Sequence, residues 1–107
     1  MDIRVKLSPV DTVNLLEEHI IRGALSAEQV DKYQAGDFYV LVFDKYFMRV
    51  SSRASLTVVV HPDGNGVSAV HSVGSGGGTG VLFGSFDWGA GGSFEGSVEK
   101  ALESYIV

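Results

Sequence analysis

Leu56-Thr57-Val58-Val59-Val60-His61-Pro62-Asp63-Gly64-Asn65-Gly66-Val67-Ser68-Ala69-Val70-His71-Ser72-Val73 is the stretch that decides the fold. Two runs rich in β-branched residues flank a cluster of turn formers, and Asn-Gly between such runs is the strongest short-range hairpin signal. The reading is a strand over Leu56–His61 and a return strand over Val67–Val73. A tight turn centred on Gly64-Asn65 sets Val58 opposite His71, and one centred on Asn65-Gly66 sets Val60 there. Either turn places His71 on the face of Leu56, Val58, Val60, Ala69 and Val73. His61 then falls on the opposite face with Thr57, Val59, Ser68, Val70 and Ser72, because strand side chains alternate.

Working toward the N-terminus, Phe38-Tyr39-Val40-Leu41-Val42-Phe43 is apolar on both faces and reads as a central strand. Asp44-Lys45 interrupts it, and Tyr46 to Val50 either continues after a bulge or starts a new strand. Ile3, Val5 and Leu7 alternate with Arg4 and Lys6, the pattern of a short strand with one buried face. Ser8-Pro9-Val10-Asp11 predicts a helix start, with Ser8 as the cap and Pro9 at the first helical position. Val10, Val13, Leu16 and Ile20 follow at helical spacing, and Arg22-Gly23 closes the helix. Ser26-Ala27-Glu28-Gln29 reads as a second capping box, opening a short helix through Val30 and Tyr33 that ends near Gly36.

Toward the C-terminus, Val81 to Trp88 can form a last strand. Phe94, Val98, Ala101, Leu102 and Tyr105 line one helix face, with Ser93 as its cap. Gly96 would let that helix approach the sheet closely. The predicted fold is a single α+β domain over residues 1–107. It is a two-layer sandwich in which an antiparallel sheet of four to six strands carries helices on one face, in the order β-α-α-β-β-β-β-α. That order is helix-grip-like, an analogy of element order alone.

Charge narrows the function. The net charge is −5, and Lys100 is the only lysine or arginine after Arg53. A nucleic-acid partner asks for a basic footprint, which the second half lacks. With no cysteine, thiolate chemistry and disulfides are excluded. The longest apolar runs are far too short for a membrane span, and the first residues have no apolar core of a signal peptide. A cytoplasmic protein without a membrane or nucleic-acid partner is the expectation.

Ten of the fourteen glycines lie between Gly74 and Gly96. The Gly74-Ser75-Gly76-Gly77-Gly78-Thr79-Gly80 stretch invites a phosphate-binding reading. It lacks the Gly-Lys-Ser/Thr of a nucleotide loop, has Thr79 where the dinucleotide fingerprint needs glycine, and leads into a strand-like segment. It reads either as a pliable joint or as a backbone nest for an anion. The three histidines show no metal-ligand spacing, so neither a metal nor a cofactor is expected. His71 on an apolar face is either a satisfied core histidine or a general base. Asp87 either caps the turn at Gly89 or partners such a base. Phe83, Phe86 and Trp88 cluster beside the glycines. The two-sided apolar strand at 38–43 implies a curved sheet, a homo-oligomer interface or a ligand pocket.

Leu7-Ser8-Pro9, Asp44-Lys45-Tyr46-Phe47-Met48-Arg49, Ala54-Ser55-Leu56-Thr57-Val58, Gly76-Gly77-Gly78-Thr79-Gly80-Val81-Leu82-Phe83 and Asp87-Trp88-Gly89-Ala90, with Phe94 and Val98-Glu99, carry a resemblance. Over nearly the whole chain it resembles an uncharacterised family of small bacterial proteins of about this length. The resemblance implies a single-domain bacterial protein and brings no activity. The leading functional expectation is a non-enzymatic domain that binds a small apolar or aromatic ligand, or its own copies. Its candidate site is Gly76, Gly77, Gly78, Thr79, Phe83, Phe86, Trp88 and His71. The alternatives are a small hydrolase or isomerase using His71 and Asp87, and anion capture by the Gly74–Gly80 backbone.

Overall fold

The structure is a computed structural model that describes residues 1–23, 27–47, 52–76 and 94–107. Its elements are β1 (Asp2–Val5), α1 (Pro9–Gly23), β2 (Ala27–Ala35), β3 (Phe38–Phe47), β4 (Ser52–Pro62), β5 (Ser68–Gly76) and α2 (Gly96–Leu102), followed by a 3₁₀ turn at Glu103–Tyr105. The five strands form one antiparallel sheet in the spatial order β1-β5-β4-β3-β2.

This overturns the predicted order. Among the described residues the order is β-α-β-β-β-β-α, a dominant sheet with two helices, and not β-α-α-β-β-β-β-α. The segment read as a second helix is β2. Val30 and Tyr33 stand at helical spacing, but two apolar residues offer a helix little to bury, and propensity is a weak prior that tertiary pairing overrides. As a strand, the segment satisfies the outer edge of β3, with Ala35 opposite Phe38 and Tyr33 opposite Val40. Gly36, read as a helix terminus, is the first residue of a two-residue hairpin turn. Its φ of +60° is the value such a turn asks of glycine at that position. Val30 is the extra residue of a bulge, since Gln29 faces Phe43 and Asp31 faces Val42.

α1 packs on α2 and also touches β2, β3 and β4. The start of α1 is as the sequence implies. Asp11 N–H donates to Ser8 Oγ at 3.2 Å, and Thr12 N–H donates to the Ser8 carbonyl at 2.9 Å. Val13, Leu16 and Ile20 are buried, whereas Val10 is exposed. Phe94, Val98, Ala101 and Leu102 are buried, and Tyr105 turns outward. Gly96 opens α2. At Gly74 an added Cβ would stand 3.4 Å from the Glu95 Cβ.

One core joins these helix residues to one sheet face: Val5, Tyr39, Leu41, Phe43, Ala54, Leu56, Val58, Val60 and Val70. Three buried hydroxyl residues share it. Thr12 Oγ1 donates to the Ser8 carbonyl and Ser68 Oγ to the Leu7 carbonyl, while Ser72 Oγ has no partner among the described residues. The β1 edge is covered by the chain's last residues: Lys6 N–H donates to the Tyr105 carbonyl and Val107 N–H to the Arg4 carbonyl. At the other edge, β2 is almost wholly exposed.

Candidate functional site

The β4–β5 turn sets which side chains reach solvent. Gly64, Asn65 and Gly66 all have positive φ, at +84°, +55° and +74°, and form a three-residue loop closed by the Asp63 N–H on the Val67 carbonyl at 2.8 Å. A two-residue turn was the sequence expectation. The extra residue changes the register by one, so Val59 faces His71, and Val60 faces Val70. A one-residue shift moves every side chain of the partner strand to the other face. His71 is therefore not on the core face with Leu56, Val58 and Val60. It lies on the opposite face with His61, Val59 and Ala69, while Ser68, Val70 and Ser72 take the buried positions.

That opposite, open face has an apolar middle. One row crosses all five strands as Tyr33, Val40, Val59, His71 and Asp2. The next reads Asp31, Val42, Thr57 and Val73. Val40, Val42 and Val59 are half-buried among their neighbours, and Tyr33, Phe38 and Val73 are more than half exposed, at 61%, 51% and 51%. Beside them the His61 ring stacks on Phe38, with centroids 4.9 Å apart and planes 8° from parallel.

Ion pairs closed within the chain stand around this middle. Arg4 Nε meets Asp63 Oδ2 at 2.6 Å; Arg53 reaches Glu28 at 3.5 Å and Asp44 at 3.8 Å. His71 Nδ1 and Asp2 Oδ1 are 2.5 Å apart. This hydrogen bond to His71, with the field of the imidazole, holds the Asp2 carboxyl below its usual range. A carboxylate that orients an imidazole is part of the equipment of a general base. Here both groups stand in solvent, at 52% and 80% exposure, where such a pair is strongly screened. On the covered face, burial lowers the Lys45 ammonium's pKa.

The sequence-derived candidates divide. His71 is on the open face. Gly76 is the last residue of β5, and Gly74-Ser75-Gly76 are strand residues paired with Leu56, Ser55 and Ala54, so the expected glycine loop does not begin at Gly74. Extended residues in a ladder do not form a nest. Gly77, Gly78, Thr79, Phe83, Phe86, Asp87 and Trp88 lie outside the described residues. Nor is Asp44-Lys45 a break, because β3 pairs with β4 without interruption through it. Sequence reasoning did not single out Asp2, Val59 or His61 for this surface. The two-sided apolar character of 38–43 was the signal that pointed to it.

Among the described residues no group of three histidine, aspartate or glutamate side chains is placed to hold a metal ion. No helix among them is long and apolar enough to cross a membrane. A shallow cavity of about 330 Å³ lies at the β2 bulge, lined by Gln29, Val30, Asp31 and Lys32. Compared with known proteins, residues 1–106 match the model of a family of unknown function, DUF6054. No curated protein and no solved structure matches the chain.

Proposed function

The chain belongs to the family of unknown function DUF6054, and from that starting point we propose that it is a non-enzymatic binding domain whose working surface is the open sheet face. The observation that carries this reading is the pair of rows Tyr33-Val40-Val59-His71 and Val42-Thr57-Val73. An antiparallel sheet with one solvated face alternates apolar inward and polar outward. Here the outward positions of the central strands hold valines and an aromatic stack, and contiguous exposed apolar area of that kind marks an interaction surface. The polar positions, with their ion pairs closed inside the chain, lie toward the margins, as the polar rim does around the apolar centre of an interface.

The test uses the valine methyl resonances of the wild type. Those of Val40, Val42, Val59 and Val73 should move on dilution or on addition of a panel of small aromatic and aliphatic molecules, while Val58 and Val60 stay still. Val59→Lys, whose ammonium reaches solvent from an outward position, should abolish the response with the far-UV spectrum unchanged. Methyl signals of the open face that ignore both dilution and the panel overturn the reading.

A further inference from the structure

We propose that the occupant of the open face is a second copy of this chain, stacked sheet against sheet about a two-fold axis. The inference rests on the reading above, that this face is a binding surface, and adds the partner.

Area is the first argument. Four strands of 9, 10, 11 and 9 residues and the four-residue β1, spaced about 4.8 Å apart at about 3.3 Å per residue, make a face of about 700 Å². Stable protein–protein interfaces bury about 600–1,000 Å² on each side. One copy laid on another therefore reaches the working size with this face alone. A small ligand would cover a fraction of it and leave most of the valines in water.

Shape is the second. A pleated, twisted sheet packs best on another sheet of the same twist, with the strand directions about 30° apart and the faces about 10 Å apart. The residues that would meet are small and β-branched: Val40 and Val59 in one row, Val42, Thr57 and Val73 in the next. Such rows interdigitate across a sandwich. A second copy supplies the matching surface at no cost in specificity, and two-fold dimers are the commonest oligomers.

Charge is the third. Among the described residues, the arginines at the margins of the face already have carboxylates: Arg4 has Asp63, and Arg53 has Glu28 and Asp44. A surface whose cations are neutralised from within makes no demand for an acidic partner. The chain as a whole is acidic, at −5, so association is predicted to strengthen with added salt, as repulsion between like-charged copies is screened.

The chain has no cysteine, which makes the test clean. Thr57→Cys places one thiol in the middle of the face, and Glu18→Cys places one on the exposed side of α1 as a control. Sedimentation over about a hundredfold range of concentration reads the association directly. The expected result is a dimer that a short bis-maleimide traps through Cys at position 57 and not at position 18. Val59→Lys should weaken association at least about tenfold with the fold intact. A wild type that stays monomeric and is not trapped at either position overturns the second-copy proposal. If its valine methyls still respond to small molecules, the binding reading stands without the dimer; if they do not, both fall. A dimer that survives Val59→Lys and is not trapped through position 57 uses another surface and also overturns the proposal.

Discussion

Val58 and Val59 are neighbours in β4 and the same residue, yet Val58 is fully buried against the helices' side chains and Val59 stands on the open face between Val40 and His71. The same alternation separates Val60 from His61 and Val70 from His71. One face is a core made by contact with α1 and α2; the other has the composition of half a core without a cover among the described residues. Composition along a strand therefore does not say which face is which. Register does, and in this sheet a three-residue loop sets the register between β4 and β5.

The largest expected effect is the contrast between Val58→Ala and Val59→Ala. Loss of two methyl groups and the cavity left behind should cost about 2–3 kcal/mol at Val58. At Val59, in dilute protein, the same substitution should cost about 0.5 kcal/mol, as surface changes do. Denaturant unfolding measures both. Equal costs at low concentration would break the comparison, since they would mean that the open face is covered within a single chain.

Ser8→Ala tests what holds the cover over the buried face. Losing the cap that receives Asp11 N–H should destabilise the domain by about 1 kcal/mol. An unchanged unfolding midpoint would show that α1 is held by its apolar contacts alone. Ser72→Ala sharpens the buried side further. Its hydroxyl is fully buried with no partner among the described residues, so its removal should be neutral or stabilise by up to about 1 kcal/mol. A clear loss of stability would reveal a partner.

The smallest effect lies on the open face and is read by titration. The Asp2 carboxyl has its pKa lowered by the hydrogen bond to His71. The contribution of the pair is therefore present above the ordinary carboxylate range and is lost as pH falls through the lowered folded value. NMR titration of the Asp2 side chain should give a midpoint below an exposed aspartate, and His71→Gln should return it upward. The same midpoint in both proteins would dissolve the pair.

Several elements were legible in the residues. The Ser8-Pro9 start of α1, the strands over Phe38–Phe43 and Leu56–His61, and the burial of Phe94, Val98, Ala101 and Leu102 all follow from patterns within a few residues of each other. β2 was not legible, because Ser26-Ala27-Glu28-Gln29 satisfies the local signature of a helix cap and only the bare edge of β3 makes it a strand. The extension of β5 through Gly74-Ser75-Gly76 was hidden for a similar reason: glycines signal a loop locally, and pairing with Leu56, Ser55 and Ala54 overrides that signal. Of the candidate site, His71 was found for a face it does not occupy, and its partner Asp2 is sixty-nine residues away in sequence.

The sequence by itself determined where the hairpin turns, where α1 starts, which residues of the last helix are apolar, and the membership of a family matched over residues 1–106. Those depend on capping atoms, backbone freedom and periodicity, all local. Only the tertiary structure decided that the segment at 27–35 is an edge strand and that His71, His61 and Val59 share the open face. The physical reason is that strand pairing joins distant residues through backbone groups every residue carries. A register with period two then turns a single added residue, at Gly64-Asn65-Gly66, into an exchange of the two faces of β5.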